Sequence, residues 1–236
     1  MTSSLPPQSQ VSWERTYRII PSRYPPIALF ERIADPEDWE ILAEIEGLTN
    51  DRLRAEAGDL SRVPRHRCIS GPWSSPIMAA FTHRPERPGR FDSVHFGAYY
   101  AAQAIETAIE ETSYHQARFR RRTREPASSF TMRTYIGRID ALLYDIRGGW
   151  PRAHDPDSYS ASQSLARDLH DQGGDGIVYD SVRHAGGSCF AAFYPDVLSR
   201  YGDEGWAIQG PHFRYHFDGN RVSSYEQIGD GAVKAL

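Results

Sequence analysis

Cysteine is scarce: Cys68 and Cys189 are the only two in 236 residues, and they form no CxxC pair. A bond between them stays open, but two reduced thiols in a cytoplasmic protein are the simpler expectation. No apolar run approaches the ~18–20 residues that span a bilayer, so no membrane association is expected. A basic surplus is missing too, with 27 basic against 31 acidic residues and a net charge of −4. That disfavours a broad nucleic-acid footprint, and no direct nucleic-acid partner is expected. The opening Met-Thr-Ser-Ser-Leu-Pro-Pro has neither a basic stretch nor an apolar one, so it does not read as a signal peptide. What remains is ordinary globular composition, 39% hydrophobic and 25% charged. The length fits one domain, or one with an added lobe, and suffices to bury roughly 70–75% of the unfolded surface.

Strands and helices are mixed without steady βαβ alternation, which predicts the α+β class. Residues 1–12 are polar and Pro/Ser-rich and read as a flexible N-terminus. Glu14 to Ile20 reads as a short strand. Asp35 and Pro36 can start a helix that stops at Gly47, and Thr49 can cap a second one ending at Gly58. Both fall in a helical lobe inserted at 26–66. Pro76 to Thr82 and Val94 to Ala101 read as strands joined through a basic, Pro/Gly-rich loop. Ala102 to Phe119 is the clearest helix, with Ile105, Ala108, Ile109, Thr112 and Gln116 in one sector. Phe130 to Asp140 and Ala141 to Arg147 read as two strands. Ser160 and Gln163 suggest a capping box for a helix ending near Gly173. Gly176 to Ser181 and Ser188 to Tyr194 read as strands around a glycine-rich turn. Residues 201–236 read as an extension packed on a catalytic domain at 13–200, with room for a hairpin.

Within the long helix, Ala104, Ala108, Glu111 and His115 form a stripe. Glu111 borders the apolar sector, whereas Glu106 and Glu110 point away from it. A carboxylate flanked by alanines has room in front of it and is partly desolvated, which makes it a candidate acid, base or cation stabiliser. The plainer alternative is a boundary glutamate paired with His115. The preceding strand supplies Tyr100 and the loop before it Arg90. An arginine at a loop end can fork onto a phosphate, and a tyrosine can stack on a ring or donate a hydrogen bond. Ser181 ends a strand just before the glycine-rich turn, where hydroxyls and backbone N–H groups come close to a ligand.

The order Tyr17-Arg18, Gly89-Arg90-Phe91, Phe96 to Ala102, Glu106 to His115, Asp175 to Arg183 and Cys189 to Pro195 resembles the RES-domain family. That family comprises toxins of bacterial RES–Xre toxin–antitoxin pairs. The resemblance runs from about residue 15 to 200. It implies a fold like the ADP-ribosyltransferases and an enzyme that consumes NAD as its substrate. It places the family arginine, tyrosine, glutamate and serine on Arg90, Tyr100, Glu111 and Ser181, and a second basic residue near NAD at Arg18. It also implies a DNA-binding Xre-type antitoxin as partner. The sequence departs from the family after Arg90-Phe91, where Asn and Gly often follow soon and Asp92 and Gly97 are nearest here, and at Asp180, where proline often precedes the serine. Adjacent Glu110 and Glu111 leave a one-residue ambiguity, which the helical wheel resolves toward Glu111.

These residue types suit cleavage of the nicotinamide–ribose bond. The leaving group departs neutral and the sugar becomes an oxocarbenium-like cation, which a carboxylate stabilises. The resemblance gives that role to Glu111, the pyrophosphate to Arg90 and Arg18, the nicotinamide–ribose end to Tyr100, and a hydrogen bond with the dinucleotide to Ser181. No metal is expected, since the leaving group requires no Lewis acid. Transfer of ADP-ribose to a protein is the expected outcome; capture by phosphate or water is the alternative. Rival readings are an RNA-binding or RNA-cleaving toxin built on the arginines of 118–124, a serine hydrolase without a GxSxG elbow, a zinc site at His212 and His216, and an interaction module with a decayed pocket.

Overall fold

The computed structural model describes residues 5–24, 30–31, 58–83, 87–229 and 233–236. Its elements are β1 (Gln8–Pro21), α1 (Ser75–Thr82), β2 (Tyr99–Ala102), α2 (Ile105–Arg122), β3 (Ser128–Asp145), α3 (Ser160–Asp171), β4 (Gly176–Asp180), β5 (Ser188–Ala192), β6 (Leu198–Ser199), β7 (Ala207–Phe217), β8 (Val222–Gln227) and β9 (Val233–Ala235). The α+β class holds: one sheet runs β1-β2-β5-β4-β3-β7-β8-β9, with β6 pairing β3. The β3–β4 pair is parallel and the rest are antiparallel. β1 pairs β3 along most of its length, yet joins β2 only through Tyr17 opposite Ala102. The strands β1, β2, β5, β4 and β3 therefore close into a ring whose weakest seam is β1–β2.

The pleat sorts the residues of the inner strands into two cores. Tyr99, Ala101, Val178, Phe190 and Ala192 join Val11, Ile139 and Leu143, and Ile77, Met78 and Phe81 of α1 cover them. The alternate residues Ala102, Ile177, Tyr179, Cys189 and Ala191 face Ala108 and Ile109 of α2 and Ala166 and Leu169 of α3. Strands buried on both faces read as continuous apolar runs rather than alternating ones. Burying one such side chain is worth about 1.5–3 kcal/mol.

Several expectations are corrected. Residues 8–12 are not frayed; they pair with β3 from Gln8 opposite Tyr144 onward. The stretch 76–82 is a helix. Pro76 suits its first turn, and Glu31 accepts the N–H of Ser75 at 3.0 Å. Residues 94–98 do not extend β2. Ser93 Oγ accepts the amides of His95 and Phe96 and turns the chain there. Gly97 sits where a Cβ would lie 2.4 Å from the Ala80 carbonyl, so the turn packs directly on α1. β3 is one strand, because Asp140, at the expected break, accepts Gln10 Nε2 and Ser12 Oγ of β1. The capping box is absent: α3 begins after Tyr159, with no side-chain cap. The tail forms β7, β8 and β9, with β7 pairing β3 over Ser128–Gly137. The helices expected within 26–57 lie outside the described residues; 58–66 holds the short 3-10 turn Leu60–Arg62 and the start of another, Arg65–Arg67. Among the described residues no helix is long and apolar enough to cross a membrane.

Candidate active site

A cleft of about 310 Å³ opens at the β1–β2 seam. β1 contributes Tyr17, Arg18 and Ile19; β2 contributes Tyr100 to Ala102; α2 contributes Ala108, Glu111, Thr112 and His115. Tyr179 and Cys189 line it from β4 and β5, and Arg87, Gly89, Arg90 and Asp92 from the loop before β2. Arg18, Arg90, Tyr100 and Glu111, expected from four separate stretches, thus border one space.

Glu111 is held from behind. Ser181 Oγ donates to Glu111 Oε1 at 2.6 Å. The same oxygen accepts the backbone N–H of Arg183 at 3.1 Å and of His184 at 3.0 Å. A hydroxyl has one proton and two lone pairs, so Ser181 is fully used. With both lone pairs taken by amides, its proton is committed to the carboxylate. Ser181 does not line the cleft; it holds the carboxylate from behind. The turn is itself pinned to α2, since His184 Nδ1 lies 2.8 Å from Thr107 Oγ1, one helical turn before Glu111.

Of the two neighbouring glutamates, Glu111 lines the cleft. Glu110 does not line the cleft; burial first, and then its charge together with that of Glu106 at Tyr225, raises the pKa of Tyr215 and Tyr225 of β7 and β8. The plainer pairing of Glu111 with His115 is a loose contact at 3.8 Å. The His115 side chain is half exposed, and beside its desolvation the guanidiniums of Arg183, Arg118 and Arg90 disfavour its charged form.

Arg90 is 7% exposed. Its Nη1 donates to the carbonyls of Ala153 at 2.9 Å and Asp155 at 2.7 Å, while its Cζ lies 4.5 Å over the Tyr159 ring. Nη2 is buried without a partner. One edge of the fork is thus anchored and the other is unclaimed, as an anion-binding arginine requires. Arg18 is arranged alike: Nη1 donates to the Tyr100 carbonyl at 3.1 Å, Cζ lies 4.6 Å over Tyr99, and Nε has no partner. Gln163 Nε2, released from the expected cap, donates to the Gly89 carbonyl at 2.8 Å and fastens the Arg90 loop to α3. Tyr100 Oη accepts the Phe91 N–H at 2.8 Å. A Cβ on Gly89 would lie 3.0 Å from that oxygen and 3.2 Å from the Asp92 carboxylate, so the loop closes tightly around them.

Tyr179 and Asp92 were not singled out as site residues by sequence. Tyr179 packs on Phe91 with ring centroids 4.7 Å apart and forms part of the cleft wall. Its place opposite Cys189 in an inner strand pair was the available signal. Asp92 stood out only as a departure from the family pattern. Among the rival sites, His212 and His216 point from one face of a strand and reach Gln209 and Ser129 respectively. No group of three or more metal-ligating side chains occurs among the described residues. The arginines of 118–124 are largely engaged internally. Arg120 pairs with Glu125 and lies 3.6 Å over Phe130, Arg121 donates to the Asn220 carbonyl, and Arg118 lies over Tyr159.

Fold and cleft together define a class: an α+β protein whose ring of strands parts at one seam to expose a serine-held carboxylate between arginines. Residues 60–218, more than half of the chain, match the RES domain, and the chain belongs to that family. The match runs past residue 200 through β7 and begins after β1, so Tyr17-Arg18 lies outside it. The chain is also similar to a Sinorhizobium fredii protein named "Uncharacterized protein y4oC", with 29% identity over 212 residues that cover 88% of this chain and 84% of the relative. Among solved structures it resembles a chain from the crystal structure of the M. tuberculosis MbcT-MbcA toxin-antitoxin complex. That likeness has 14% identity and a TM-score of 0.41, and covers 89% of this chain and 87% of the other.

Proposed function

We propose that this protein is the NAD-consuming toxin of a toxin–antitoxin pair and breaks the bond between nicotinamide and ribose. The observation that carries the reading is Glu111, held from behind by Ser181, lining the same cleft as the half-free guanidiniums of Arg90 and Arg18. The arginines take the pyrophosphate and Tyr100 packs at the nicotinamide–ribose end. Glu111 faces the ribose, where its charge stabilises the oxocarbenium-like sugar as neutral nicotinamide leaves. Ser181 fixes the carboxylate by a short charge-assisted hydrogen bond, so little reorganisation is needed as positive charge develops. The ADP-ribosyl group then goes to a side chain of an acceptor protein, which makes the overall reaction ADP-ribosyl transfer.

Mass spectrometry of NAD products from the purified protein tests this, with and without phosphate and cell lysate. Nicotinamide release with ADP-ribosylated lysate protein is the expected result. Free ADP-ribose or ADP-ribose-1″-phosphate as the main product would keep the bond cleavage and replace the acceptor. Unchanged NAD in every mixture would contradict the reading. The antitoxin half is tested separately: a Xre-type protein encoded by a neighbouring reading frame should abolish NAD loss when added in equimolar amount.

A further inference from the structure

The cleft wall contains two carboxylates, Glu111 and Asp92, and the reading above uses only the first. Asp92 is 6% exposed, and its Oδ1 is buried with no hydrogen-bond partner. Burial pushes its carboxyl up to about 6, against hydrogen bonds from the Gly89 amide and the Tyr100 hydroxyl and the charge of the Arg62 guanidinium. The unpartnered oxygen is costly unless a ligand supplies the missing donor. Asparagine at this position would keep the shape without the buried charge.

The charges of the proposed substrate show which donor fits. NAD carries two anionic phosphates and one cationic ring bearing a carboxamide. The cleft offers Arg18, Arg87 and Arg90 to the anions. Glu111 is committed to the ribose. Asp92 is the remaining anionic wall residue among those described, and it stands beside Tyr100 at the nicotinamide–ribose end. Resting on that reading of the substrate, we infer that Asp92 is the specificity residue that selects nicotinamide, its free carboxylate oxygen accepting the carboxamide N–H and facing the pyridinium charge. A nicotinic acid ring, with a carboxylate in place of the carboxamide, brings an anion and no donor to the same oxygen. The site then rejects it by like-charge repulsion and by leaving a buried acceptor unpaired.

The experiment compares NAD with its deamido form, nicotinic acid adenine dinucleotide, as substrates of the wild type and of Asp92→Asn. The side-chain amide of asparagine can donate to a carboxylate, so the variant meets the deamido ring without repulsion. The wild type is expected to favour NAD by about a hundredfold or more in kcat/KM, and the variant to narrow that ratio at least tenfold. An unchanged ratio in a folded variant, or a wild type that uses both substrates equally, would overturn the inference while leaving NAD cleavage standing. Titration of the wild-type protein with free nicotinamide and free nicotinate, followed by ligand-observed NMR, adds a readout that needs no turnover. Preferential binding of nicotinamide supports the inference even where no NAD is consumed, a result that would instead remove the catalytic reading. Equal binding of the two rings, or none of either, counts against the inference.

Discussion

The two faces of the β2–β5–β4 strip are made from the same short stretches of chain, yet they differ in kind. One face places Tyr99, Val178, Phe190 and Ala192 in an apolar core under α1. The other, one residue out of phase, presents Tyr100, Ala102, Tyr179 and Cys189 to the cleft beneath α2. A strand alternates sides at every residue, so three adjacent strands supply a rigid floor and a reactive wall at once. Stability and chemistry therefore separate by residue parity, and substitutions one position apart should have different readouts.

The comparison is sharpest at Glu111 and Phe190. Glu111→Gln should lower nicotinamide release by about a thousandfold, in line with removing charge stabilisation from a transition state, while the thermal transition stays near wild type. Release near the wild-type rate would remove Glu111 from the mechanism. Phe190→Ala should destabilise by about 3–5 kcal/mol in denaturant unfolding, because Phe190 is fully buried and packs on Trp13 at 5.9 Å. Its activity below the unfolding transition should persist, and early loss of activity would blur the two faces.

Ser181→Ala should fall between these effects. It leaves the carboxylate in place but unheld, and two backbone amides without their acceptor. A roughly ten- to hundredfold fall in kcat with little change in KM is expected from a serine that acts by holding the carboxylate. A rise in KM alone would make it a binding residue after all.

Asp92 gives the pH arm. Its folded pKa is raised to about 6, so folding favours the protonated form. The stabilisation from that proton is full below the ordinary value near 4 and is lost as pH rises through 6. Asp92→Asn should therefore raise the melting temperature at pH 8 by a few degrees and much less at pH 4. The facing groups are Arg62, Arg90 and Tyr100, with His95 and Arg167 lining the depression behind Asp92. A variant less stable than the wild type at pH 8 would show that the carboxylate is structural. The smallest effect is expected at Glu110→Gln, which should change turnover by no more than about twofold, since that side chain does not line the cleft. A loss comparable to that of Glu111→Gln would exchange the two glutamates.

Much of the site was legible because its parts are short, local and periodic. A helical wheel separates Glu111 from Glu110 without coordinates, and the glycine-rich turn after Ser181 announces a reversal. Burial on both sides hid more of the fold. Residues 76–82 are apolar all round, so helix and strand could not be told apart from the run alone. Asp140 looked like a break because its two β1 partners lie some 130 positions away in the sequence. Gln163 matched a capping pattern but serves a longer-range contact with the Arg90 loop. The role of Ser181 needed coordinates, since its hydroxyl proton goes to Glu111, 70 positions away in the sequence.

The central claim is a placement, and a structure of Glu111→Gln soaked with NAD tests it most directly. The account predicts the anomeric carbon of the nicotinamide ribose beside the side-chain amide of residue 111, with the pyrophosphate on Arg90 and Arg18. A dinucleotide seated elsewhere, or one that turns its adenosine end toward residue 111, would contradict it.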